Sequence, residues 1–200
     1  DEWRKSIYMR ANVSCGQRPR DSWVFVSSPH HFGDTTGIQR KLGIFAQKVV
    51  SVFTDIEDQI AYVRKEKPVI LDGYSSALVY LAKEVERRDI TDIKPRVMFG
   101  SADLIDKTSQ KTLEDIFGAP FLDQYGCSEI DRSSWVCPEK VGYHMDIDSV
   151  ITQFVDDEGE QVAPGEQGEV IYTSLFSHTM PFLRYAVGDM GILLDDECTC

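Results

Sequence analysis

Over the first 120 or so residues, short apolar runs alternate with amphipathic stretches. Trp23-Val24-Phe25-Val26, Val49 to Phe53, Pro68 to Leu71, Arg96 to Phe99 and Ala119-Pro120-Phe121-Leu122 are compact and rich in β-branched and aromatic residues, which predicts buried strands. The intervening segments repeat at helical spacing. Thr35 to Ala46 carries Ile38, Leu42, Ile44 and Phe45, and Asp55 to Lys65 carries Ile56, Ile60 and Val63. Ala77 to Arg88 lines Leu78, Leu81, Ala82 and Val85 on one side; Asp106 to Phe117 begins on a capping aspartate and stops at Gly118. Trp3 to Val13 reads as a further short helix. The alternation predicts an α/β fold: a mostly parallel, doubly wound sheet with flanking helices. After Glu129 the texture changes. Gly142 to Val155 alternates, Gly168 to Ser174 is a strand, and Phe182 to Tyr185 and Ile192 to Leu194 predict two more, with glycine-rich turns between. No helical pattern follows residue 140, which predicts a small antiparallel β-barrel-like subdomain. The expected division is residues 1–138 and 139–200.

Composition narrows the function classes. The chain has 200 residues, 42% apolar and 27% charged, as in an ordinary globular domain with a real core. A net charge of -12 argues against a nucleic-acid partner, whose phosphates would be repelled. No run approaches the roughly 20 apolar residues of a membrane span, and the opening Asp-Glu-Trp-Arg-Lys lacks the order of a signal peptide. The five cysteines are odd in number and unevenly spaced, unlike a disulfide framework, so a reducing, cytoplasmic setting is expected. No G-x-G-x-x-G follows the first strand, which disfavours a dinucleotide-dependent dehydrogenase.

The stretch Asp123-Gln124-Tyr125-Gly126-Cys127-Ser128-Glu129 is expected where the fifth strand gives way to a loop, and ligands gather at such strand ends. Tyr125 could stack on a base and Gly126 let backbone approach. Ser128 offers a hydroxyl to a phosphate oxygen, and Glu129 a hard oxygen to Mg²⁺. A plain turn with a capping serine and a surface glutamate is the alternative reading.

Tyr125-Gly126-Cys127-Ser128-Glu129, Gly168-Glu169-Val170 and Arg184-Tyr185-Ala186-Val187-Gly188-Asp189, in that order and spacing, resemble the adenylate-forming superfamily of acyl-CoA synthetases, luciferases and peptide-synthetase adenylation domains. Met180-Pro181-Phe182-Leu183-Arg184-Tyr185 running into Gly188-Asp189, with the final Cys198-Thr199-Cys200, is similar to the phenylacetate–CoA ligase branch and its capsule-biosynthesis (CapK-like) and coenzyme F390 synthetase-like relatives. The resemblance implies two steps. A small carboxylic acid, aryl or otherwise, attacks ATP to give an acyl-adenylate and pyrophosphate, and CoA then takes the acyl group. It implies that Gly100, Ser101, Ala102 and Asp103 form one adenine wall and that Asp123, Gln124, Tyr125 and Gly126 form the other. Ser128 would hydrogen-bond the α-phosphate, Glu129 hold Mg²⁺, and Asp189 accept the ribose hydroxyls of ATP or AMP. Transfer to an amine or hydroxyl in capsule assembly, or a relative that binds nucleotide without chemistry, are the competing readings.

Tyr74 and Ser75 after the third strand, and His31 after the first, are candidates for the acyl pocket. A surface histidine pair and a helix-capping serine are the plainer alternatives. Cys137, His144, Cys198 and Cys200 offer the thiolate and imidazole ligands of a closed structural Zn²⁺ site, against a buried Cys137 and a frayed terminal pair. A second copy of the chain is a candidate partner. The family's Ser/Thr/Gly-rich phosphate loop is expected before residue 1, and its mobile lysine-bearing subdomain after residue 200. Gly33-Asp34-Thr35-Thr36-Gly37 resembles that loop but lacks its lysine and follows the wrong strand. The chain is therefore expected to be the middle of an enzyme, unable to adenylate by itself.

Overall fold

The computed structural model describes residues 2–31, 35–195 and 197–200. Phe32 lies outside them, as do Gly33 and Asp34 of the glycine-bearing loop noted above. The chain divides into two compact units, residues 12–124 and residues 1–11 with 125–200.

In the first unit the predicted alternation appears as β1 (Trp23–Ser27), a single 3-10 turn (Pro29–His31), α2 (Gly37–Leu42), β2 (Gln47–Ser51), α3 (Ile56–Glu66), β3 (Ile70–Tyr74), α4 (Ser75–Arg87), β4 (Val97–Ser101), α5 (Lys107–Phe117) and the start of β5 (Phe121–Cys127); α1 (Glu2–Ser14) precedes them. The strands pair in parallel in the order β2-β1-β3-β4-β5. β3 and β4 are buried along nearly their whole length, as parallel strands covered on both faces must be. Val24, Val26, Leu71, Met98 and Phe121 from the sheet meet Leu78, Leu81, Val85, Leu113 and Phe117 from α4 and α5 in one core. Burying each such side chain is worth about 1.5–3 kcal/mol.

Helix ends follow their local chemistry. Asp106 accepts from the backbone N–H groups of Thr108 and Ser109, at 2.9 and 3.0 Å, and Gly118 ends α5 in the left-handed region at φ 68°. α2 is shorter than its amphipathic pattern predicts. A Thr36–Gln39 capping box starts it, but Gly43 at φ 63° stops it after Leu42, so Ile38 and Leu42 stay exposed.

In the second unit, β5 continues the sheet order into β6 (Asp131–Val136) and β7 (Tyr143–Met145). β8 (Val150–Val155), β9 (Gln167–Ser174) and β10 (Tyr185–Ile192) form a separate three-stranded antiparallel sheet. Ile130, Val150, Phe154, Val170 and Tyr172 make its core. No helix follows α5 among the described residues. The two strands expected over 182–185 and 192–194 are one strand instead. Its register against β9 shifts between Ala186 and Met190, so Val187-Gly188-Asp189 bulge out opposite Val170, with Gly188 at φ 83°. α1 is held within this unit by Arg132, which is 3% exposed. Its guanidinium donates to the Tyr8 carbonyl at 3.2 Å and to the Ile7 carbonyl, and pairs with the buried Asp146 at 3.1 Å. Arg10 reaches Asp146 at 2.5 Å and also binds Asp148.

Candidate functional site

The residues expected to act at strand ends are divided between the two units. In residues 12–124 the sheet order reverses between β1 and β3, the point where open α/β sheets bind ligands beyond their carboxyl ends. His31, just after β1, meets Tyr74 at the end of β3 edge to face, ring centroids 5.9 Å apart. Ser75 follows as the first residue of α4, is 1% exposed, and donates to the Ser101 carbonyl at 3.4 Å. The three acyl-pocket candidates are thus gathered at and beside the reversal.

Gly100 lies at the end of β4, where a Cβ would strike the Phe121 ring and come within 2.8 Å of Ser75 Oγ, so only glycine lets β4 pass there. Ala102 is in the left-handed region at φ 73°, an uncommon state for a residue with a side chain. Asp103 accepts from the Ser76 N–H at 3.2 Å and from its hydroxyl, and so caps α4 with a carboxylate. Asp123 accepts from the Gln124 N–H at 3.1 Å. Gln124 is turned inward: its amide donates to Asn12 Oδ1 at 2.8 Å, and Asn12 donates in turn to Gln17 at 2.9 Å, a buried amide chain.

In residues 125–200 the strand expected to end before Tyr125 runs on to Cys127, and Ser128, Glu129 and Ile130 form the turn into β6. β6 is a strand that the sequence reading did not resolve. A Cβ on Gly126 would fall on the Asp131 carbonyl oxygen and lie 2.6 Å from Arg132 Cα, so the close return of the chain requires glycine. Ser128 and Glu129 are exposed on that turn.

The carboxylates Glu129 and Asp189 are each held by a tyrosine from the other's segment. Tyr125 Oη donates to Asp189 Oδ2 at 2.5 Å, and Tyr185 Oη donates to Glu129 Oε1 at 2.9 Å. The bulge in β10 is what brings Asp189 to Tyr125. Tyr125 is half-buried, and burial raises its phenol, with Asp189 adding to the shift. Tyr185 holds the Glu129 carboxyl below its usual range, and Glu129 raises Tyr185 in return. Beneath them Ser133 hydrogen-bonds the Tyr172 hydroxyl at 2.8 Å and donates to the Tyr125 carbonyl at 3.4 Å. Burial pushes the Tyr172 phenol up to about 12. Tyr185, Tyr172 and Ser133 were not among the expected site residues. Tyr185 sat in view inside the Arg184–Asp189 motif, whereas Ser133 lies on a strand whose buried polar residues hid it.

A separate cluster lies in the same unit. Cys137 follows directly on β6 and His144 is on β7, across the ladder from Trp135, whose ring lies against it at 4.8 Å. Cys137 Sγ is 3.6 Å from Cys198 Sγ, Cys200 Sγ is 3.5 Å from His144 Nε2, and all four ligand atoms fall within 4.8 Å of one another. Tetrahedral zinc, with bonds of about 2.3 Å to sulfur and about 2.0 Å to nitrogen, sets neighbouring ligand atoms about 3.5–3.8 Å apart. The donor set and its spacing fit such an ion.

No protein-family model matches the chain. It is 32% identical over 145 residues to a phenylacetate-coenzyme A ligase of Pseudomonas putida, covering 69% of this chain and 33% of that one. It is 27% identical over 150 residues to a phenylacetate-coenzyme A ligase of Thermus thermophilus, covering 72% and 34%. The chain therefore spans about a third of the length of these relatives. A solved structure of 2-hydroxyisobutyryl-CoA ligase in complex with 2-HIB-AMP and CoA superposes with a TM-score of 0.81 at 19% identity, over 98% of this chain and 46% of that one, and so shares its fold. The sequence likeness, the fold and the three motifs agree: the chain belongs to the adenylate-forming superfamily, in its phenylacetate–CoA ligase-like branch.

Proposed function

We propose that this chain is part of an ATP-dependent ligase that activates a small carboxylic acid as its acyl-adenylate and passes the acyl group to CoA. The observation that carries the reading is the pair of tyrosine–carboxylate bonds that tie the Tyr125–Glu129 segment to the Tyr185–Asp189 segment. An adenylating enzyme needs a carboxylate for the ribose, a hard oxygen for the cation and a hydroxyl for the α-phosphate. Asp189, Glu129 and Ser128 supply these types. In the first step the substrate carboxylate oxygen attacks the α-phosphorus of ATP and pyrophosphate leaves with the electron pair of the broken P–O bond. In the second the CoA thiolate attacks the acyl carbonyl and AMP leaves. Both partners of the first step are anions, so donors must offset charge at the phosphate.

Glu129 is exposed and held ionised by Tyr185, which fits a hard divalent cation. Mg²⁺, when bound, would neutralise phosphate charge there. Ser128 donates to the α-phosphate, Tyr125 stacks its ring on the adenine, and Asp189 has Oδ1 for a ribose hydroxyl while Oδ2 accepts the Tyr125 hydrogen bond. Among residues 12–124, Gly100 to Asp103 are assigned to the adenine, and His31, Tyr74 and Ser75 to the acyl group. Zinc at Cys137, His144, Cys198 and Cys200 has a structural role in this reading, since four protein ligands leave no open position.

The test is carboxylate-dependent exchange of pyrophosphate into ATP by the full-length protein, across aryl and aliphatic acids. Exchange with one class of acid, lost in Glu129→Ala and Asp189→Ala, supports the reading. AMP binding with no exchange for any acid would overturn it.

A further inference from the structure

Glu129 stands on an exposed three-residue turn, where a glutamate side chain ordinarily samples several rotamers. Here one oxygen, Oε1, is held by Tyr185 Oη at 2.9 Å. Tyr185 is itself fixed. It opens β10, pairs with Tyr172 across the β9 ladder, and packs its ring edge to face on Phe182 at 5.1 Å. The Cys127 thiol, two residues back on the same segment, also hydrogen-bonds this carboxylate. A hydroxyl that donates to a carboxylate leaves its charge intact, as outer partners of metal ligands do when they aim the ligand.

We infer that Tyr185 is the positioning residue for Glu129, orienting its carboxylate for the divalent cation of a metal–nucleoside triphosphate complex. This rests on the reading of Glu129 as the cation's ligand. It adds a residue to the site whose contribution is orientation, not contact with substrate. The reciprocal bond, Tyr125 to Asp189, ties the same two segments from the other end, so the β10 bulge and the β5–β6 turn hold each other in register.

Phenylalanine at 185 retains the ring that packs on Phe182 and removes only the hydroxyl, so the fold should survive; a thermal melt checks this. The experiment titrates the full-length protein with Mn²⁺·ATP, following free Mn²⁺ by electron paramagnetic resonance, and with ATP in excess chelator by calorimetry. Tyr185→Phe is expected to weaken Mn²⁺·ATP binding about tenfold while leaving metal-free ATP binding within about twofold. Glu129→Gln is expected to remove the metal-dependent part, and the double variant to bind no worse than Glu129→Gln, because an orienting hydroxyl has nothing left to orient. Equal weakening of both ligands by Tyr185→Phe, no weakening of either, or additive losses in the double variant would overturn the positioning role while leaving Glu129 as ligand. A Glu129→Gln protein that binds Mn²⁺·ATP as well as the parent would overturn the ligand reading, and the inference with it.

Discussion

Tyr125 Oη lies 2.5 Å from Asp189 Oδ2, across a sequence separation of 64 residues. The bond exists because β10 bulges at Val187-Gly188-Asp189 and because Gly126 lets the chain after Tyr125 turn back against Asp131. It fixes the tyrosine ring and the carboxylate relative to each other.

The ring and the hydroxyl of Tyr125 should therefore separate on substitution. Tyr125→Phe keeps the ring and is expected to hold AMP affinity within about threefold, since the lost neutral-to-charged hydrogen bond lies within the protein. Tyr125→Ala should weaken AMP about tenfold or more, the usual value of a base–aromatic stack. Calorimetric titration with AMP distinguishes the two. Equal losses in both variants would mean that the hydroxyl, not the ring, matters.

The Cys137–His144–Cys198–Cys200 cluster predicts one zinc per chain by elemental analysis of protein prepared without chelator. Stripping the metal with a strong chelator should lower the thermal midpoint by more than about 5 °C, because a structural ion contributes its binding energy to folding. Cys137→Ser should abolish the stoichiometric zinc. Metal-free protein with an unchanged midpoint would remove the site.

The Arg132–Asp146 pair is buried on both sides, with side chains 2% and 1% exposed. Arg132→Met should cost about 3–5 kcal/mol, since it leaves Asp146 without its buried partner and the α1 carbonyls of Ile7 and Tyr8 without a donor. Arg10 still faces Asp146, so the lower half of that range is expected. Urea denaturation measures it. Adding Asp146→Leu to Arg132→Met should recover part of the loss.

Asp106 predicts a dependence on acid. The Ser109 backbone N–H, followed by the Ser109 hydroxyl and the Thr108 N–H, holds its carboxyl below the ordinary value. A lowered folded-state value means the stabilisation is complete above the unfolded value of about 3.9 and is lost as pH falls through the folded one. Asp106→Asn keeps an acceptor at the cap but cannot titrate there. Its midpoint should lie below the parent's at pH 6 and approach it by pH 2. Parallel curves for the two proteins would mean that the cap contributes no pH dependence.

Much of the α/β half was legible because its signals are local. The spacing of Leu78, Leu81, Ala82 and Val85 is enough to mark α4, and Asp106 and Gly118 bracket α5 by the chemistry of their own backbones. The strands facing both layers of helices read as unbroken apolar runs. β6 escaped notice for the opposite reason. Arg132, Ser133 and Ser134 are buried polar residues, the first two satisfied by groups distant in sequence, and a window of neighbours registers them as loop. The same holds for β10, which reads as two strands because Gly188-Asp189 looks like a break until the ladder with β9 is seen to resume beyond it.

By itself, then, the order of residues determined the alternation of strands and helices, the family motifs and the chemical types of the candidate site: an aromatic ring, a hydroxyl, two carboxylates, and a set of thiols with an imidazole. Only the tertiary structure decided which of them meet. Tyr185 reaches Glu129, Asp189 reaches Tyr125, Gln124 turns inward to Asn12, and the chain's last cysteines come to Cys137 and His144. The physical reason is range. Periodicity and capping act within a few residues and can be read from neighbours, whereas hydrogen bonds and metal geometry join atoms that are close only after the sheets have formed.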